Sequence, residues 1–431
     1  MNGSYQLQNF TKNREAEVIR LKAQVELFFE KEFDLYRKLG LTNEMEIIEC
    51  GSGPGYLIKN ILERFPGCKA TALEIDPFLF SVLKDNSQSN GKRLFNPING
   101  SIYETKLQDN SFDFVITRLV IEHLEEPLKA LYELNRILKP GGRLVIVSND
   151  FAYHLLTYPV IQELDEMYDA YCRSRFSEGG NPLIGRQLPI YLENSNFEKI
   201  NIEIVTAHSK ISGDETFLKA ENVNISKSLV ESGFLHRDTL ANLVEKWFEM
   251  LKDPYHVFYR QLFVVSGEKN RSGKFSPYSK EIEDNLKGKS KGENHSEEKH
   301  NIDLQRDKFQ NLMNKYKHAT LTKNTFSPDQ KSTEINTAYI DSQNKTGNVS
   351  GYGTLDTNKI ETILLTVWKD ILKNNSLTKD DNYFDVGGDS VLIPEIVGRL
   401  SSEYNIKLRI LDIFDNPSIR LLSDYICKNT F

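Results

Sequence analysis

Up to residue 268, apolar positions follow two alternating rhythms. "MEIIEC" (Met45–Cys50), "KATALEI" (Lys69–Ile75), "FDFVIT" (Phe112–Thr117) and "RLVIVS" (Arg143–Ser148) are short, nearly continuous apolar runs, which predict buried strands. Between them the spacing changes to three and four. Leu57, Ile58, Ile61, Leu62 and Phe65 share one helical face, and so do Leu128, Leu131, Leu134 and Leu138. The turn Lys139–Gly142 breaks the second helix. "FEKINIEIV" and "YRQLFVVSG" predict two late strands, and residues 151–197 are expected to be mostly helical. Strand and helix in this order imply an α/β fold, a doubly wound and mainly parallel sheet covered on both faces.

The pattern fades after residue 268. Residues 269–353 are dominated by Lys, Glu, Asn and Ser, with few clustered apolar positions. Such a segment buries too little surface to offset chain entropy and is expected to be a flexible linker, with a short helix at "DLQRDKFQNLMNKY". Apolar periodicity returns in residues 354–431. Ile360, Ile363, Leu364, Val367, Trp368, Ile371 and Leu372 lie on one face, a second helix opens at Ser390, and "RILDIFDNPSIRLLSDYIC" holds a short helical turn and a last helix. A small helical bundle is expected there.

Composition narrows the function classes. A net charge of −7 over 431 residues gives no reason to expect nucleic acid. The four cysteines form no CxxC pair, which argues against a disulfide framework or a structural zinc and suits a reducing cytoplasm. No apolar run approaches the ~20 residues of a membrane helix, and the polar N-terminus lacks the apolar core of a signal peptide.

Candidate chemistry begins at the first strand-to-helix turn, "IIECGSGPGYL". Gly51, Gly53 and Gly55 allow positive φ and close approach to a ligand ahead of a helix N-terminus. A dinucleotide fingerprint needs glycine where Tyr56 stands, and no GK[ST] follows for a phosphate loop. Glu74 ends the next strand, where a carboxylate reaches ribose hydroxyls. With "ALEIDP", "GSIYE", "FDFVITRLVIEHLEEP" and "ILKPGGRLVIV" in order, the region resembles class I S-adenosylmethionine (SAM)-dependent methyltransferases. The resemblance implies that Glu49, Gly51, Ser52, Gly53 and Gly55 pack against the methionyl part of SAM. It gives Glu74 the ribose, places Ile75 beside the adenine, and puts Arg118 and Leu119 on the methyl-donor side. An acid usually meets the adenine amine; Ser101 and Ile102 stand there instead. His123 is a candidate general base, or it orders its loop; Tyr153 and His154 are similar candidates. Arg20 and Gln24 either close over the cofactor carboxylate or face solvent.

The tail motif is "FDVGGDSVL". Two glycines ahead of a helix start leave the Ser390 hydroxyl accessible, although a plain N-cap serine has the same position. No G-x-S-x-G elbow is present. With Asp385, Gly387, Gly388 and Asp389 the tail resembles the peptidyl carrier domains of nonribosomal peptide synthetases. That implies 4'-phosphopantetheine on Ser390, a phosphopantetheinyl transferase to attach it, and assembly-line enzymes to load and unload it. Pro394 is a departure, but in the first helical turn its missing N–H costs little. The expected organisation is a methyltransferase domain (1–268), a linker (269–353) and a carrier domain (354–431). Three functions fit: methylation of a carrier-bound or pathway intermediate, methylation of a free small molecule beside an independent carrier, or a non-catalytic carrier and docking scaffold.

Overall fold

A computed structural model describes residues 14–89, 91–221, 225–271, 276–290, 357–388 and 392–429. The expected helix "DLQRDKFQNLMNKY", most of the expected linker, and Asp389 and Ser390 lie outside these residues.

The N-terminal region is built on strands β1 (Glu46–Cys50), β2 (Lys69–Glu74), β3 (Asn96–Asn99), β4 (Phe112–Arg118), β5 (Leu138–Ser148), β6 (Leu155–Tyr158), β7 (Phe197–His208) and β8 (Val257–Lys269). Their order is β3-β2-β1-β4-β5-β8-β6, with β7 along the other edge of β8. The first five are mutually parallel; β8 runs antiparallel to β5, β6 and β7. From β1 the chain steps outward to β2 and β3, then returns to β4 on β1's other side. That reversal opens a crevice beyond the carboxyl ends of β1 and β4.

Both sheet faces are covered, which is why the strands read as unbroken apolar runs. Ile47, Phe114, Ile116, Val145 and Val147 pack toward α1 (Arg14–Lys38) and α2 (Tyr56–Arg64). Ile48, Val115, Leu144 and Ile146 pack toward α4 (Pro127–Ile137) and α6 (Leu188–Glu193). Asp76 caps α3 (Pro77–Asn86) by accepting from the N–H groups of Phe78 and Leu79, both at 2.9 Å.

Three details differ from the sequence reading. Helix α4 stops at Ile137, but Lys139–Gly142 is a bulge within β5 rather than a free turn. Pairing jumps from Phe112–Leu138 to Phe114–Arg143, and Lys139 Nζ reaches both oxygens of Asp113 at 2.8 Å. Residues 151–197 contain α5 (Glu163–Ser177) and α6 but also β6, whose four residues are too few for periodicity to separate strand from helix. The folded region also runs past residue 268. Tyr278, Ile282 and Leu286 pack on the α4 side of the sheet, the last two on helix α10 (Lys280–Ser290). The N–H of Lys129 donates to Glu283 at 3.1 Å. One apolar residue per turn holds this helix down, and the Lys, Glu and Ser around it hide the stripe.

Between β7 and β8 lie α7 (Asp214–Ala220), α8 (Ile225–Glu231) and α9 (Arg237–Lys252). The C-terminal region holds α11 (Thr357–Leu372), α12 (Ile393–Tyr404), α13 (Ile410–Asp415) and α14 (Ile419–Asn429). Its core joins Ile360, Leu364, Val367 and Trp368 to Ile393, Ile396, Leu400, Leu422 and Ile426. Pro394 sits in the first turn of α12. Among the described residues no helix is long and apolar enough to cross a membrane.

Candidate functional site

The crevice beyond β1, β2 and β4 holds a cavity of about 410 Å³. It is lined by Glu49, Gly51, Ser52, Gly53, Glu74, Ile75, Ser101, Ile102, Arg118, Leu119 and His123. Gly55 alone of the expected set is not in the wall. It starts α2 at φ +81°, and a Cβ there would lie 2.5 Å from Leu83 Cδ1.

Glu74 is buried and held from three sides. Gly53 N–H donates to Oε2 at 2.7 Å, and the N–H groups of Ile75 and Asp76 donate to Oε1 at 2.8 Å. Burial raises its pKa, while the three N–H groups oppose the rise. Oε2 retains a lone pair for a further donor. The turn beside it carries no side chain at Gly53 (φ +53°), where a Cβ would find only Leu21 Cδ1 at 3.9 Å.

Glu49 accepts from Ile58 N–H at 3.1 Å. Burial pushes its carboxyl up to about 8, against the pull of Arg118. Arg118 lines the cavity, but its guanidinium turns back to α1. Nε meets Glu32 Oε2 and Nη2 meets Oε1, each at 3.0 Å; Nη2 also donates to the Gln24 carbonyl at 3.0 Å. Tyr36 Oη completes the group by donating to Glu32 at 2.9 Å. The pair is almost fully buried and ties α1 across the site.

The remaining wall comes from positions far apart in sequence. Asn149, Phe151 and His154 follow β5, Tyr171 belongs to α5, Glu221 follows α7, Arg260 lies on β8, and Arg20 and Gln24 lie on α1. Arg20 pairs with Glu17 at 2.7 Å, and Arg260 with Glu221 at 2.7 Å. With its amide turned, Gln24 oxygen accepts from both Arg20 and Arg260 at 3.3 Å. His154 stacks on Phe151, ring centroids 4.4 Å apart. Burial, then Arg260, holds its imidazole down to about 4. His123 is held down to about 3 by burial, then by Arg175 and Arg20. Burial lifts Glu221, but Arg260 first and His154 next bring it down to about 2. Asn149, Glu221 and Arg260 carry no local signature that marks them from sequence; Tyr153, a candidate beside His154, is half exposed and outside the wall. Among the described residues no His, Cys, Asp and Glu cluster could hold a metal.

In the C-terminal region the glycine pair precedes α12. Gly387 has φ +97° with open space around its Cβ position. Gly388 N–H donates to the Tyr383 carbonyl at 2.8 Å, and a Cβ there would lie 2.3 Å from that oxygen. Tyr383 packs edge-on against Trp368, with centroids 4.9 Å apart.

Comparison with known proteins matches the two regions separately. Residues 48–146 match a family described as "Methyltransferase domain", and residues 362–426 one described as "Phosphopantetheine attachment site". Over 73 residues the chain is 41% identical to bacitracin synthase 2 of Bacillus licheniformis, covering 17% of this chain and 3% of that protein. It is 28% identical to the uncharacterized methyltransferase C1B3.06c of Schizosaccharomyces pombe, covering 39% of this chain and 63% of that protein. It is 23% identical to malonyl-[acyl-carrier protein] O-methyltransferase of a Paenibacillus species, covering 53% of this chain and 84% of that protein. The chain thus spans less than two thirds of the first two relatives. Sequence motif, sheet topology and both family matches agree that this chain joins a methyltransferase domain, similar to the class I SAM-dependent kind, to a phosphopantetheine attachment domain similar to assembly-line carriers.

Proposed function

We propose that the chain methylates an acyl intermediate held on its own carrier domain, in cytoplasmic biosynthesis of a peptide or peptide-polyketide product. The observation that carries the reading is one cavity lined by two sets of groups. The first is Glu74 with the open Gly53 position; the second is the cluster of His154, Glu221, Arg260 and Arg20.

The first set fits SAM. Glu74 keeps an acceptor site for ribose, Ile75 and Ile102 give apolar walls for adenine with Ser101 beside them, and Glu49 and Ser52 face the methionyl part. Leu119 and the aliphatic stem of Arg118 border the donor end, while the Arg118–Glu32 pair holds α1 over it. When bound, SAM supplies an activated methyl on a sulfonium whose leaving group is a neutral thioether. The protein contributes alignment and exclusion of water. Phosphopantetheine on Ser390 would hold the acceptor as a thioester. A phosphopantetheinyl transferase and separate loading enzymes are its partners. The Paenibacillus relative is named for methylating a carrier-bound acyl group, which supports this order of events.

The test is dilution of the acyl-loaded chain with excess SAM. Delivery from the carrier in the same chain keeps the rate per molecule constant, whereas separated domains slow as they are diluted. Equal slowing of both would transfer the acceptor to a free small molecule.

A further inference from the structure

We propose that helices α8 and α9 form the surface on which the chain's own carrier domain docks, and that Phe151 and Tyr171 join that surface to the cavity. The inference deepens the reading above, on which its purpose rests, by naming where the carrier is received.

Helix α9 carries a broader apolar stripe than the sheet uses. Leu243, Trp247 and Met250 enter the core that packs on α1. Leu240 and Val244, at the other margin of the stripe, enter a second cluster with Leu229 of α8, Leu235, Phe151, and Ala170 and Tyr171 of α5. Phe151 and Tyr171 also line the cavity. The carrier completes this cluster. Helix α13 turns Ile413 into the carrier's own core, while Ile410 and Phe414, one helical turn apart, pack against the second cluster. The carrier helices and the methyltransferase region thereby belong to one compact unit.

The rim of the contact has a charge order. Lys227 of α8 stands over the Phe384 ring, with Nζ 3.9 Å from its centroid. Phe384 opens the string that carries Ser390, and it stacks on Phe414 with centroids 5.2 Å apart. Arg237, the first residue of α9, pairs with Asp415, the last of α13. In both contacts the methyltransferase region supplies the cation and the carrier the electron-rich partner. That polarity fixes which way the carrier faces. Helix α9 accordingly lies against α12, the helix that follows Ser390, as well as against α13.

The size of the contact identifies its occupant. Two apolar side chains, one cation over a ring and one half-exposed ion pair make a weak, reversible surface. Such a surface fills when the local concentration is high, which a tether supplies and a separate carrier protein does not. The same weakness lets the carrier leave for the enzymes that load and unload it. From Phe384 through Phe414 to Tyr171 and Phe151, apolar groups lead from the modified string to the cavity wall.

The test has two readouts on the full chain. Arg237→Cys with Asp415→Cys should form a disulfide under mild oxidation on the order of tenfold faster than Glu63→Cys with Asp415→Cys. Glu63 is exposed near the end of α2 that points away from the cavity. The fast product should be a monomer, with the linked peptides identified by mass. In the second readout, Arg237→Glu should speed amide exchange in residues 410–415 by about two- to fivefold, and adding Asp415→Arg should restore the wild-type rate. Both positions are solvent-facing, so neither change disturbs a core. Equal rates for the two cysteine pairs, a disulfide-linked dimer as the main product, or exchange unmoved by Arg237→Glu overturns the proposal. Neither readout needs SAM or an acyl group. Docking without SAM binding in calorimetry would support this surface and overturn the methyltransferase reading beneath it.

Discussion

The Gly51–Gly55 turn and the Gly387–Gly388 turn both lead into helices, and glycine is needed for different reasons in each. The first turn is concave. Its serine, Ser52, is buried, its backbone N–H at Gly53 is spent on Glu74, and Gly51 and Gly55 lie tight against Val120 and Leu83, so Gly53 is the position whose missing side chain leaves room for a ligand. The second wraps around a side chain. Gly388 presses its backbone onto Tyr383, itself wedged against Trp368, while Gly387 only supplies a left-handed conformation. Similar glycine-rich strings thus border a cavity in one domain and brace a buried tyrosine in the other.

The sharpest break of that comparison is Ser390→Ala. Intact-mass analysis after treatment with a phosphopantetheinyl transferase should show complete loss of the arm, with the carrier's unfolding transition unmoved. Attachment at full yield on the variant would remove the carrier assignment. Next is Gly388→Ala, whose Cβ meets a backbone oxygen that cannot step aside; urea unfolding should show a loss of about 2–3 kcal/mol. Gly387→Ala, costing only left-handed strain, should lose about 1 kcal/mol. Equal losses would mean that Tyr383 does not set the turn.

On the cavity side, Glu74→Ala should weaken SAM by roughly 1.5–3 kcal/mol in calorimetry, because it removes a charged acceptor. Gly53→Val should fill the space left beside it. The smallest effect expected is a proton count. Glu49 is mostly protonated below about pH 8 and ionised above it. A cationic ligand favours the ionised form, so SAM affinity should rise with pH up to about 8 and binding at pH 7 should release up to about one proton. Titrations in buffers of different ionisation enthalpy read that release, and Glu49→Gln should abolish it. An unchanged release in the variant would place the ligand's cationic end elsewhere.

Legibility in sequence tracked how local each feature is. The glycine turn, Glu74 and the tail motif lie within short strings whose residue types name their geometry. So do the strands buried on both faces, such as Phe112–Arg118. Asn149, Glu221 and Arg260 meet around His154 only because β8 inserts beside β5 and brings chain ends together across long separations. No periodicity encodes that meeting. His154 was visible as a candidate, but not its partners. The extension to Leu286 was hidden for a different reason: α10 shows one apolar residue per turn in a segment whose average composition is that of a solvated chain.

The buried Arg118–Glu32 pair has a thermodynamic consequence. It links β4 to a helix 86 residues away in sequence, and that helix roofs the cavity. Local opening of α1 would expose both charges and dismantle one wall together, so the roof and the ligand site share one equilibrium. A ligand that binds only the closed form adds RT ln(1 + [L]/Kd) to the cost of opening. Amide exchange in Arg14–Lys38 should then slow with SAM concentration by that amount, while α14, in the other domain's core, keeps its rate.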